Sequence, residues 1–291
     1  MVSAVALLTF ACTMAQASPV NLGAAAGCTA LILPGGSSID LTINGGAAVE
    51  GNVCVPAGMH LDLGSGAKVG PTVGTGDVVS GTIFLDPNGA TVKLDNQNPA
   101  SVVIKDLSQA VLDAIAANNT AAALSPTQNF NQLDISSGTF AITGNGGLNV
   151  ISVANDVKLH GSGTLLLTGT ANDKFVINVA GAYTQSSTSN VMLGGGVRAD
   201  NVMWNFIGGG NGPNIGASGQ VTYGTFLAPF RDFSITDTTL YGQVISQGHL
   251  AIGSKALVVN TVPEAGSTLA LCGIGLIGIW AVRRKLPSSR A

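Results

Sequence analysis

The sequence predicts a mostly β chain: a right-handed β-solenoid (β-helix) with one flanking amphipathic α-helix, followed by a C-terminal transmembrane helix. Three observations point there. Short apolar segments alternate with polar residues, 40 glycines help to separate them, and charged residues make up only 9% of the chain against about 25% in ordinary soluble domains. A chain so poor in charge can order itself by stacking backbone on backbone at about 4.8 Å per rung, with Val, Leu and Ile filling a narrow interior. A β-sandwich uses similar segments. Apolar starts at Leu148, Val157, Leu165, Phe175 and Val191, unevenly spaced, suit successive faces of an irregular coil better.

The elements follow in chain order. Residues 2–14 are mostly apolar and lead into Ala15-Gln16-Ala17, which reads as a signal peptide over residues 1–17 with cleavage before Ser18, although its first residues carry no Lys or Arg. Export places the body, residues 18–261, outside the cytoplasm. Cys12 falls in the signal and Cys272 in the C-terminal apolar run, so the body keeps only Cys28 and Cys54. In an oxidising compartment these two are a possible disulfide, with a pair of buried thiols as the alternative; two thiols without nearby histidines make an incomplete zinc site.

The first β segments lie in "SIDLTINGGAAVEGNVCVPAGMHLDLGSGAKVG", where Ile39, Leu41 and Ile43, and then Leu61 and Leu63, alternate with polar neighbours. A helix interrupts them at about residues 106–124. In "DLSQAVLDAIAANNTAAAL", Leu107, Val111 and Ile115 form one stripe with Leu112 beside it, Asp106 can cap the start and Pro126 lies just past the end. Such a helix is expected to lie along the solenoid and bury that stripe. The β pattern then resumes through "GTFAITGNGGLNVISVANDVKLHGSGTLLLTGT" and "KFVINVAGAYTQSSTSNVMLGGG".

Residues 262–291 form the tail. "VPEAGSTLALCGIGLIGIWAVRRK" holds a proline break, an apolar run over residues 267–282 without a charge, and three bases. Sixteen residues of helix reach about 24 Å, a short span for a core of about 30 Å, with Trp280 at an interface and Arg283, Arg284 and Lys285 on the cytoplasmic side. The order Val262-Pro263-Glu264, apolar span, Arg-Arg-Lys resembles the PEP-CTERM sorting signal, also described as an ice-binding protein C-terminal domain; Ala265 stands where that family has a second proline. The resemblance implies an exported protein of a Gram-negative bacterium, anchored in the inner membrane before an exosortase-type enzyme processes it near Pro-Glu, and then released to the cell surface or outside.

The body carries a resemblance of its own. The helix together with "NQLDISSGTFAITGNGGLNVISVANDVKLHGSGTLLLTGTANDKFVINVAG" resembles the ice-binding-like β-solenoid of bacteria, whose coil is flanked by a long helix. "NVMWNF", "YGTFLAP" and "LYGQVIS", beginning at Asn201, Tyr223 and Leu240, are similar to the choice-of-anchor A domain of exported bacterial proteins.

Function classes are then weighed on residues. The body holds eight bases and 14 acids, a net charge of −6 with no basic cluster, which argues against nucleic acid as a partner. His60, His160 and His249 are isolated, and "GGGVRA" from Gly194 lacks the helix and acid of a dinucleotide site, so neither an enzyme nor a cofactor is expected. Asp134, Asp156, Asp173 and Asp200 could gather in a polysaccharide-cleaving groove, but turn roles explain them more simply. Turns at residues 86–89 and 95–98, "DPNG" and "DNQN", lack the pattern of a calcium loop, so no metal is expected. Tyr183, Trp204, Phe206, Tyr223 and Phe226 could form either a sugar-stacking platform or a core layer, the second being the simpler reading. Thr164, Thr168 and Thr170 do not repeat over several rungs as an ice-facing array would. The reading that follows is a non-enzymatic structural or adhesive protein whose partner is exopolysaccharide or the cell-surface matrix; ice binding through a flat face stands second and a polysaccharide-acting enzyme third.

Overall fold

The computed structural model describes residues 18–35, 40–70, 81–93 and 101–260. Their fold is β-solenoid-like, with every strand pairing parallel. Parallel rungs follow from the local pattern: in Thr164–Thr168, Leu165 and Leu167 are buried while Thr164, Leu166 and Thr168 face outward, and the next rung repeats the arrangement.

Three faces result. The first is built on a path of ten strands, in spatial order Gln128–Phe130, Leu148–Val153, Lys174–Val179, Val202–Phe206, Gln220–Ala228, Thr238–Gln247, Ala30–Leu33, Val53–Val55, Thr82–Leu85 and Ser101–Ile104. The second is a nine-stranded sheet running in the same spatial order. The third begins as a three-stranded sheet of Thr139–Thr143, Thr164–Thr168 and Asn190–Gly194. Its continuation comes from the leading halves of the two long strands and from Leu257–Val259, Ala48–Glu50 and Lys68–Val69.

The two long strands bend between the third and first faces at Gly224 and Gly242, which pair with each other. A Cβ on Gly242 would sit 2.0 Å from the Gly224 carbonyl oxygen, and Gly224 itself has φ 111°, so neither position has room for a side chain.

That spatial order implies an unusual path. The chain begins in the interior of the stack, coils outward to Ser101–Ile104, and returns as one helix, α1 (Ser108–Ala122), before coiling back from Gln128–Phe130. Its last rungs meet its first: Ala30 pairs with Val244, Leu41 with Leu250, and Ala48 with Leu257, so all three faces cross one seam.

The interior is a single apolar column. Within it, Trp204 and Phe226 stack with centroids 5.7 Å apart, while Tyr183 meets Trp204 edge-on at 5.1 Å. A second apolar cluster lies outside the first face, where α1 covers Val176, Met203, Leu227, Ile245 and Leu31. Cys28 and Cys54 are joined by a disulfide within it, with Cα atoms 5.8 Å apart.

The buried stripe of α1 is not the expected one. Leu107 is buried, but Val111 and Ile115 are only partly so and Leu112 is 60% exposed; the buried line is Ala110, Ala114, Ala117 and Ala121, with Asn118. The sheet already presents large side chains, so small ones on the helix allow close approach. From just before the helix Asp106 is held below the usual carboxyl range by the Ser108 side chain first and then by the Ser108 N–H, which it accepts at 2.8 Å. The transmembrane segment expected at residues 267–282 lies outside the described residues, among which no helix is long and apolar enough to cross a membrane.

Candidate functional site

Among the described residues the helix α1 covers the first face and leaves the second open. Its nine strands are Leu133–Ile135, Val157–Leu159, Tyr183–Ser186, Asn214–Gly216, Phe233–Thr236, Leu250–Gly253, Asp40–Ile43, His60–Leu63 and Thr91–Lys93. Strict alternation buries one set of side chains and leaves the other outside, as in Leu41-Thr42-Ile43 and Phe233-Ser234-Ile235.

Continuous register turns this local alternation into a row. Asp134, Lys158, Thr184, Asn214, Ser234, Ala251, Thr42, Asp62 and Lys93 stand opposite one another from strand to strand across all nine rungs. Beside it Ser186 pairs with Gly216, and Thr236 with Gly253. Neighbours lie about 4.8 Å apart across strands and about 6.7 Å apart along them, giving a flat grid roughly 38 Å long.

Within this row the charges sit at the two ends, although Asp40 and its strand partner His60 also point outward at the edge of the face, beside Thr42 and Asp62. Asp134 bonds His160 at 2.8 Å and Lys158 pairs with Asp156 at 3.1 Å at one end, and Asp62 pairs with Lys93 at 3.4 Å at the other. Between them Thr184, Asn214, Ser234, Ala251 and Thr42 are small and neutral, and the hydroxyls and amide of Thr184, Ser186, Asn214 and Ser234 bond no other described side chain. Those groups are left to water. Of the other two histidines His60 stands on the face and bonds Thr91 at 2.7 Å, and His249 lies beside it and reaches Thr42 at 3.4 Å.

The third face carries a smaller array. Thr139 pairs with Thr164 and Thr143 with Thr168, so the threonines do repeat, but only over two rungs before Asn190 and Gly194 replace them. Thr170 is not among them; its hydroxyl bonds Asp173 in a turn.

The four aspartates do not form one groove. Asp134 and Asp156 belong to the second face, where Asp156 also accepts the Ala182 N–H, whereas Asp173 and Asp200 lie at turns leading into strands of the first. Asp173 is fully engaged, accepting from the backbone N–H of Thr170 and Gly146 and from Asn149 and Thr170 side chains; these bonds, that of the Thr170 N–H foremost, hold its carboxyl far below the usual range. Asp86 of the DPNG turn is likewise structural, taking the N–H groups of Asn88 and Leu107 and so tying that turn to the start of α1. Among the described residues no cluster of three or more His, Cys, Asp or Glu could hold a metal. Gly194 to Ala199 forms a turn followed by a short 3-10 segment, Ala199–Asn201, in place of a dinucleotide-site helix.

Of the five aromatic residues considered as a platform, Tyr183, Trp204, Phe206 and Phe226 are fully buried. Only Tyr223 faces outward, against Tyr241, a partner that strand pairing alone reveals. The residues of the tail, Val262, Pro263, Glu264, Arg283, Arg284 and Lys285, and of the signal cleavage site, Ala15 and Ala17, lie outside the described residues, as does the turn at 95–98.

The model of the ice-binding-like family matches residues 35–262, and that of the PEP-CTERM protein-sorting motif matches residues 261–285. No curated protein matches the chain. Among solved structures, an ice-binding protein from an Antarctic Flavobacteriaceae bacterium superposes with TM-score 0.58 at 22% identity, over 84% of this chain and 48% of that one. A glycosylated ice-binding protein from an Arctic yeast gives TM-score 0.56 at 20% identity over 84% and 96% of the two chains. A domain of a Shewanella frigidimarina ice-binding protein gives 0.53 at 20% identity over 84% and 98%. At such identities the solved structures show a shared fold. The family match overturns the expectation of a structural or adhesive role and supports the ice-binding alternative. The expectation rested on the tail and on the lack of an active-site constellation, and the threonines of one stretch of chain gave no regular array to set against it; the in-register outward row of the second face instead mixes Thr, Ser, Asn and Ala from strands far apart in sequence.

Proposed function

Because the chain belongs to the ice-binding-like family, we propose that its body binds ice through the open nine-stranded face. The observation that carries the proposal is the in-register row Thr184, Asn214, Ser234, Ala251 and Thr42, neutral and unobstructed over five rungs. An ice surface is flat, rigid and periodic, so a protein gains from it by laying many weak contacts down at once. Strand stacking fixes these side chains on a grid before contact, which lowers the ordering cost of binding. Charged groups hold tightly oriented hydration of their own, and the neutral stretch of the row from Thr184 to Thr42, with Asp40 only at its edge, leaves a central strip free to order water as a lattice.

Delivery rests on the tail. The PEP-CTERM motif implies processing by an exosortase-type system, and the chain is exported and surface-directed. The apolar run at residues 267–282 would hold the chain in the inner membrane, with Arg283, Arg284 and Lys285 in the cytoplasm, until processing near Val262-Pro263-Glu264; the signal would be cleaved after Ala17. The solenoid is taken as right-handed, the hand that parallel crossovers adopt almost without exception.

The test is direct. The purified body should inhibit ice recrystallisation and show thermal hysteresis; absence of both in a protein whose circular dichroism shows a folded β structure would refute the reading.

A further inference from the structure

On the third face, beside the three-stranded sheet, Tyr223 and Tyr241 occupy paired positions of the two long strands, their rings stacked with centroids 5.3 Å apart and planes 16° apart. They wall one side of a cleft of about 320 Å³, with Leu193 and Val197 as further apolar lining. Arg198 and Asp200 supply its polar side.

This pair is built in a particular way. The Asp200 side chain is only 6% exposed, yet it lines the cleft; Arg198 is 61% exposed and donates from Nε to Asp200 Oδ1 at 3.2 Å. Asp200 Oδ2 and the two terminal nitrogens of Arg198 bond no other described residue. The cleft therefore offers an acceptor beside donors, with their charges mutually balanced, next to an aromatic wall. A phosphate or carboxylate ligand would meet Asp200, and a cation would meet Arg198.

We propose that this cleft binds a neutral saccharide, a pyranose ring lying against the tyrosine pair with vicinal hydroxyls shared between Asp200 and Arg198. Each hydroxyl both donates and accepts, which matches a carboxylate beside a guanidinium, and the C–H face of the ring matches the aromatic wall. The volume lies at the small end of ligand sites, about 300–1,000 Å³, and suits one or two rings. The site is on a different face from the proposed ice grid, so the two readings stand or fall separately.

Calorimetric titration of the intact chain with maltose, cellobiose and lactose, and with glycerol as a diol without a ring, tests this. Saturable binding of at least one disaccharide, no saturation by glycerol, and roughly tenfold weaker binding in Tyr241→Ala and in Arg198→Ala are expected. Both substitutions are at positions open to solvent on at least one side, so folding should survive, and thermal hysteresis should be unchanged by either. Absence of saturable binding by all three disaccharides, or binding that both variants retain at full strength, would overturn the proposal.

Discussion

Asn118 on the helix and Asn205 on the sheet beneath it exchange hydrogen bonds: Asn118 Nδ2 donates to Asn205 Oδ1 at 2.6 Å, and Asn205 Nδ2 donates to the Asn118 carbonyl at 3.3 Å. Asn205 also donates to Asn178 Oδ1 at 2.8 Å, and Asn178 donates to the Ala121 carbonyl at 2.8 Å, so three buried amides fasten α1 to two rungs. Apolar contact would hold the helix anywhere along its groove; these bonds fix its register. Asn205→Ala strands polar groups on both sides and should cost about 2–3 kcal/mol in urea denaturation. Adding Asn118→Ala should cost less than the sum of the single changes, because the partner left unpaired is then gone.

The open face makes a sharper claim about position than about composition. Ser234→Lys puts a charge and a long side chain in the middle of the neutral row, and thermal hysteresis should fall to a small fraction of its original value with melting unchanged. Thr164→Lys, on the third face, should leave it nearly intact. Equal losses from the two substitutions would move the ice-binding surface or spread it over both faces.

What sequence could and could not reveal follows from distance along the chain. Rungs such as Leu41-Thr42-Ile43 announce themselves because alternation is local, and the helix does so by its break in that pattern. Its buried side does not, since the alanines at 110, 114, 117 and 121 win only where the sheet supplies the bulk. The seam joining Ala30 to Val244 has no local signature, and the row proposed to face ice is assembled across it. The available signal was one small polar residue between two buried apolar ones, rung after rung, read as a set.

The Cys28–Cys54 disulfide closes a loop with sequence separation 26, and both cysteines are at most 2% exposed under the helix-covered side. In the chain-entropy picture such a loop contributes about 3–4 kcal/mol by restricting the unfolded chain. Replacing both with Ser should lower stability by about that amount, measured by denaturant midpoint. Because neither cysteine lies on the open face, activity at low temperature should persist.

Arg231 is a buried cation held entirely by carbonyls. Its nitrogens donate to Gly208, Gly181, Asn211, Ala180 and Ile207, with distances of 2.9 Å to Gly208 and 2.7 Å to Ile207, and its guanidinium lies 5.7 Å from the Phe206 ring. Desolvation lowers its pKa, but a guanidinium stays charged at any ordinary pH. It thereby ties three turns of neighbouring rungs together. Arg231→Met keeps much of the volume and orphans those oxygens, so a loss of about 3 kcal/mol or more is expected; Arg231→Lys, with three donors and no fork, should recover only part.

Asp173 gives the fold a dependence on acid whose sign can be worked out. Its folded pKa lies below its unfolded one, because the Thr170 N–H, the Asn149 amide and the Gly146 N–H all bond the ionised form. The stability it contributes is therefore fully present above the unfolded value, near 3.9, and is lost as pH falls below it toward the folded value. Asp156 and Asp106 shift the same way and add to the trend. Thermal melting followed from neutral to strongly acidic pH should show stability falling below about pH 4. Asp173→Asn should be less stable than the parent at neutral pH and should show a shallower fall, since the amide cannot accept as the carboxylate does from every one of these donors and no longer titrates. Parallel melting curves for parent and variant would place the acid sensitivity elsewhere in the coil.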